Sequence, residues 1–553
     1  MEQGRLFLAI ALSFLVFVVW EFVFVGKQPV TPLPEPEKVT ESPVTDHQKN
    51  EITASAKEST DINSEIIETP GTIFNTLQIN TPLYSAIISE KGAGIVSFVL
   101  QEYKESIEKD SAKKELISEI NKPGTALLNF TGEGVSGISN AVFTTDFSGT
   151  TLKVKDGSQS VSFFRQSSSG LLIEKKFTFY ADSYKIKLDV ILKNMSSRSK
   201  QGDLIVSMTN SQPTGKRRFT FEGPFAFIDN KLKEIKIKDL DKENKFTGTI
   251  DWAGLSDQYF MTVLIPETSS DASIKVSLNQ KNNLLNVQYI QKTEALQPGT
   301  QKQYDYSLFL GPKRMSVLKA AGGHLDKAIN FGFFDIIAKP CLWLMDYIYE
   351  HFIPNYGIAI ILLTLLFKII FWPLGTKSYK SMAEMKKLQP LMAEIKKKYK
   401  DDKKKMNEET MGLYKTYKVN PLSGCLPMVV QIPVFFAFYR MLYGAIELRH
   451  APFLWWVTDL SAPDRLFTFN FSVPMMTPPY GIPVLTIIMG ATMFLQQRLS
   501  PPPGDPSQAK FMMMMPLIFT VIFVNFPAGL VLYWLTNNIL SISQQYYITK
   551  KIT

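Results

Sequence analysis

The sequence predicts a multi-pass α-helical membrane protein carrying a large all-β domain. Three observations predict it. Apolar runs long enough to cross a bilayer as helices crowd the C-terminal part and occur once at the N-terminus. The stretch between them alternates apolar and polar residues with period two, as half-buried strands do. Lys-rich segments flank the apolar runs on one side, which orients the chain in a membrane. The 553 residues exceed one domain by the usual prior, and the ordinary 45% hydrophobic content averages two unlike populations. The net charge of +9 is concentrated beside the apolar runs, so it points to a membrane rather than to DNA. Cys341 and Cys425 are far apart, and His47, His324, His351 and His450 are scattered. No disulfide framework, metal site or cofactor is expected.

Residues 1–26 place Arg5 before an apolar run, Leu6 to Val25. A cleaved signal peptide is the alternative, but the run is long and no A-x-A site follows. An uncleaved anchor is expected, N-terminus inside, with Trp20 near the outer interface. Residues 27–70 are rich in Pro, Glu, Thr, Ser and Lys and read as a flexible linker. From 71 to 318, runs such as LLIEKKFTF and SYKIKLDVILKN are separated by turn clusters and predict an antiparallel sandwich. A scaffold role is set beside sugar or peptide binding, with Trp252 as a candidate platform. Residues 319–354 form a linker and an interfacial amphipathic helix, Phe331 to Phe352, split at Pro340.

Residues 355–374 are expected to form the second span. Lys368 interrupts it, either snorkelling to the headgroups or marking a functional site. Residues 375–420 predict a basic helical hairpin whose charged block, Asp401 to Lys405, makes the turn. Its Lys396, Lys397, Lys398, Lys403, Lys404 and Lys405 form a solvated face or contact ribosomal RNA or anionic lipid headgroups. Residues 421–548 hold four further spans: Leu422 to Tyr443, Gly481 to Leu499, Phe511 to Phe526, and Ala528 to Tyr547. A short tail, 549–553, follows. The Lys-rich hairpin, Arg498, Lys510 and Lys550 all fall on the side of Arg5, giving six spans with both termini inside.

That topology sets the depth of the polar residues. Lys368, Gln431, Asn537, Ser541 and Gln544 fall in the inner half of their helices, with Thr364 one turn above Lys368 on the same face. They either glue helices together or line a wet cavity open to the inside. The spans around them carry no Asp, Glu or His, and HExxH, GxSxG and P-loop patterns are absent, so covalent catalysis is not expected. A solute transporter would show inverted repeats, and none is found.

The segments NPLSGCLPMVVQIPVFFAFYRML (from Asn420), LRHAPFLWWVTDLSAPD (from Leu448) and NFPAGLVLYWLTNNILSISQQ (from Asn525) resemble the YidC/Oxa/Alb family of membrane protein insertases. With TLLFKIIFWPL and the Lys-rich hairpin, the likeness covers residues 331 to 547. The middle domain resembles the periplasmic β-supersandwich of Gram-negative members, supported locally by DWAGLSDQYFM at Asp251. The resemblance implies a non-enzymatic inner-membrane insertase and chaperone. Its partners would be nascent membrane proteins, the Sec translocon, the ribosome and anionic lipids. The family's basic groove residue, usually Arg, falls on Lys368, its neighbouring Thr on Thr364, and its last-span aromatic, often Tyr, on Trp534. A substrate slide would comprise Met428, Phe435, Met512, Met513, Met514 and Met515.

Overall fold

The computed structural model describes residues 74–118, 124–132, 135, 137–213, 220–268, 271–400, 402–417, 419, 426–499 and 506–552. The expected anchor (1–26) and linker (27–70), with Asp401, Gly424 and Cys425, lie outside the described residues. So do the side chains of Met428 and Lys403.

The period-two segments do form strands, and three sheets carry the β domain. A nine-stranded antiparallel sheet runs 231–234, 223–228, 250–256, 260–266, 301–312, 185–194, 171–180, 158–166, 144–145. A five-stranded antiparallel sheet orders 245–247, 272–279, 284–292, 203–211, 127–130. A second five-stranded sheet orders 113–117, 94–104, 84–89, 76–80, 151–153, the last pair parallel. Strict alternation along Leu171–Tyr180 turns every second side chain into the core. Tyr84, Phe98, Phe163, Phe177, Tyr306 and Phe309 fill that core.

Trp252 corrects the reading of it as a sugar platform. It is fully buried, stacked on Phe227 at 5.9 Å, and its indole N–H donates to the His324 carbonyl at 3.3 Å. On its strand it occupies an inward position, where a large ring contributes most by being removed from water.

Among the described residues ten α-helices follow. They are α1 (Met315–Ala321), α2 (Asp335–His351), α3 (Tyr356–Ile370), α4 (Trp372–Lys387) and α5 (Gln389–Lys398), then α6 (Lys403–Thr416), α7 (Leu426–Gly444), α8 (Val484–Leu499), α9 (Pro506–Phe523) and α10 (Ala528–Ile552). The expected split at Pro340 does not occur, because α2 continues through it. Pro340 sits in the second turn, where it removes a single intrahelical bond near the helix start. One face of α2 buries Ala338, Cys341, Leu342, Met345 and Ile348, while Ile336 and Trp343 project outward.

The run expected as one span, 355–374, is two helices. It breaks at Phe371 and bends by 65°. Pro373 lies in the first turn of α4, a favoured place for it, and its ring disfavours helix upstream. Among the described residues no single helix is long and apolar enough to cross a membrane, whereas the bent pair α3 and α4 together reaches that length and composition.

The expected turn of the basic hairpin also shifts. Asp402 caps α6 by accepting from the Lys405 amide at 3.0 Å, so the lysine triplet is the first turn of a helix rather than a loop. Pro390 begins α5 by the same logic as Pro373. α10 is the hub of the helical part, packing against α3, α4, α7 and α8.

Candidate functional site

The polar residues of α3, α4 and α10 converge. The Lys368 ammonium donates to the Ser541 hydroxyl at 2.7 Å. The Tyr379 hydroxyl of α4 hydrogen-bonds the same serine. One helical turn further along α10, the Gln544 amide donates to the Trp372 carbonyl at 3.1 Å and lies 3.5 Å from the Thr376 hydroxyl. Gly375 lets the two helices approach that closely, since a Cβ there would stand 2.8 Å from Gln544 Nε2. Ser541 and Gln544 are buried and Lys368 is half-buried. The amine is therefore tied sideways to a neighbouring helix.

Other expected site residues lie elsewhere. The Thr364 hydroxyl donates to the carbonyl of Ile360 at 2.6 Å, within its own helix. Gln431 hydrogen-bonds Tyr533. Trp534 belongs to an aromatic wall with Phe435 at 4.7 Å, Phe523 at 5.2 Å and Phe519 at 6.0 Å. Asn537 is half-buried, and its neighbour Asn538 makes the bond to α8, donating to Thr492 at 3.3 Å. On α9, Met513 and Met514 are exposed, whereas Met512 and Met515 are half-buried. Lys397, Lys398, Lys404 and Lys405 stand exposed on the hairpin, and Lys396 is half-buried.

Sequence reasoning missed three constellations. First, Asp464 accepts from the Trp456 indole at 2.6 Å and from the Leu485 amide at 2.5 Å, capping α8. Its neighbour Arg465 donates to the Val524 and Pro479 carbonyls at 2.8 and 2.9 Å, clasping the α9–α10 turn. Asp464 lies 21 residues before Leu485, so no local N-cap signal marks it. Second, Glu447 is buried where the β domain meets the helices, with neither carboxylate oxygen hydrogen-bonded. Burial pushes its carboxyl up to about 8 and that of nearby Asp346 up to about 6, with Arg314 opposing both shifts. Third, Lys175 is buried in the β domain and donates to the carbonyls of Gly92, Ala93 and Ala126 at 3.2, 2.5 and 2.8 Å. Among the described residues no group of three or more His, Cys, Asp or Glu could hold a metal ion.

The described residues form a three-sheet β domain joined to a bundle of helices, with the Lys368 amine tethered between two of them. The 60Kd inner membrane protein family matches residues 347–553, and the YidC periplasmic domain family matches residues 76–344. The chain is 39% identical over 555 residues to the membrane protein insertase YidC of Pelobacter propionicus, covering 100% of this chain and 99% of that one. It is 40% identical over 479 residues to the same-named protein of Syntrophus aciditrophicus, covering 86% of this chain and 85% of that one. A solved structure of an active YidC insertase with its first transmembrane domain resolved is 19% identical and superposes with a TM-score of 0.38, covering 86% of this chain and 95% of that one. The chain belongs to the YidC family of membrane protein insertases, with the family's periplasmic domain.

Proposed function

We propose that this inner-membrane insertase receives nascent membrane proteins through a hydrophilic groove that opens to the cytoplasm and is walled by α3, α4, α7 and α10. The observation that carries the reading is the Lys368–Ser541 bond, which holds a cation between helices instead of releasing it to the headgroups. In the groove Lys368, with Ser541 and Gln544 beside it, attracts the polar, often acidic, tail of a substrate, and Thr364, Gln431, Trp534 and Asn537 line the groove away from the amine. Water in such a groove lowers the cost of desolvating that tail. The substrate's apolar span then slides along Phe435 and Met428 of α7 and Met512 to Met515 of α9, where flexible Met suits varied partners. Burial in lipid drives release.

Six spans with both termini inside remain the topology we favour, with the β domain periplasmic and the basic hairpin cytoplasmic. The short helices support a locally thin bilayer. The 15 residues of α3 reach about 22 Å, against a hydrocarbon core of about 30 Å. The exposed lysines of α5 and α6 suit the ribosome or anionic lipid, and the Sec translocon is a further partner. No cofactor is required.

The test is a single-span substrate with an acidic N-terminal tail offered to the protein in liposomes. Insertion by wild type that collapses in Lys368→Glu and weakens in Lys368→Ala supports the groove. Equal insertion by all three returns Lys368 to a snorkelling anchor.

A further inference from the structure

A cavity of about 260 Å³ lies at the seam between the β domain and the helices. Three parts of the chain wall it: the strand edge near Phe221 and Glu234, the linker before α2 at Phe331, and the end of α7 at Arg440. Lys313 reaches it from the last strand of the nine-stranded sheet. Its Nζ is anchored by donating to the Ser256 hydroxyl at 2.9 Å and to the Asp257 carbonyl at 2.5 Å. Those bonds use two of its three donors. Arg440 adds a second cation, whose planar fork of five donors can serve a protein partner and a ligand together. Glu234 contributes a carboxylate, and the Thr220 hydroxyl is buried without a hydrogen-bond partner.

Lys313 and Arg440 already have partners within the protein, and Glu222 and Asp257 also face Lys313, so it is the orphaned Thr220 hydroxyl that is costly unless something polar completes it. The volume lies below the usual range for drug-sized ligands, so a peptide segment or oligosaccharide does not fit. A small group with separated charges does. The Phe221 and Phe331 rings leave one side of the cavity apolar, and just beyond Phe331 the chain exposes Phe333 and Ile336.

We infer that this cavity binds an amine-bearing phosphodiester, the head group of a zwitterionic phospholipid of the outer leaflet. The phosphate sits between Lys313 and Arg440, the ammonium meets Glu234, and the acyl chains leave past Phe331. The lipid would then tie the β domain to the membrane at a point remote from Lys368. The inference rests on the outward placement of this seam in the topology proposed above.

The test uses the full-length protein, stripped of lipid in detergent and offered equal amounts of phosphatidylethanolamine, phosphatidylglycerol and phosphatidylcholine, with retention read by native mass spectrometry. Phosphatidylethanolamine should be retained about tenfold over phosphatidylcholine, whose trimethylammonium cannot donate to Glu234. Arg440→Gln should cut retention about tenfold and Arg440→Lys should restore most of it, while Glu234→Gln should erase the preference over phosphatidylcholine. Thermal midpoints control for folding. If Arg440→Gln does not fold, the isosteric Glu234→Gln decides alone. Competition by soluble glycerophosphoethanolamine at equal concentration would uphold the head-group chemistry and assign it a soluble source. Equal retention of the three lipids, or retention unchanged in both variants, overturns the inference. Lys368 variants should retain lipid normally, so failure of the groove and failure of this site are separable.

Discussion

Gln544 donates to the carbonyl of Trp372, the first residue after the 65° bend, while Ser541 one turn earlier on α10 holds Lys368 just before it. The bend is therefore held from outside by α10, at a point where Gly375 leaves no side chain in the way.

That clasp predicts a change of sign. Ala normally exceeds Gly in a helix by about 1 kcal/mol. In the wild-type background Gly375→Ala should nevertheless lower the thermal midpoint, because its Cβ displaces Gln544. In a Gln544→Ala background the same change should raise it. A double-mutant cycle should give a coupling of about 1–2 kcal/mol, and additive effects would refute the clasp.

Ser541→Ala should leave the charge of Lys368 in place but remove its anchor. Insertion of the acidic-tailed substrate is expected to fall about threefold, the scale of one hydrogen bond, against near-complete loss for Lys368→Glu. A Ser541→Ala protein as inactive as Lys368→Glu would mean that the serine does more than hold the amine.

Glu447 makes stability depend on pH. Its folded carboxyl, raised to about 8 from 4.5, holds a proton that the unfolded chain releases. Stability is then greatest below 4.5 and falls as pH rises from there through about 8. Glu447→Gln removes the titration. Wild type and variant should melt together near pH 4.5, and the variant should melt higher at pH 8. Parallel melting curves across that range would sink the assignment.

Lys175→Met should destabilise the β domain by about 2–4 kcal/mol, because three buried carbonyls lose their donor. Burial already pushes the amine down to about 7, while the three carbonyls favour its charged form. Circular dichroism melting of the full-length protein reads the loss, and an unchanged β-sheet transition would contradict the cage.

Much of this was legible in the chain. Period two marked the strands, apolar runs marked the helices, and an interrupting charge marked Lys368. Lys175 was legible too, but overlooked. In LLIEKKFTF it shares a face with Leu171, Ile173, Phe177 and Phe179, all buried. Alternation alone puts a cation in the core, against what its residue type suggests. Trp252 failed in the opposite way, since an aromatic ring in a strand is first a packing residue. The prolines show a firmer limit. Pro340, Pro433 and Pro516 lie inside helices, while Pro373 and Pro390 begin them. The ring chemistry is identical, so neighbouring helices decide. Glu447 left no local trace, because its burial arises from the β domain closing over a distant loop.

The bond between Lys368 and Ser541 joins residues 173 positions apart in the chain. A ribosome making this protein therefore releases α3 long before α10 exists. Throughout that interval the new chain carries an unanchored cation and an unbraced bend. The order of synthesis thus leaves the bend to be closed last, when the final helix supplies both Ser541 and Gln544.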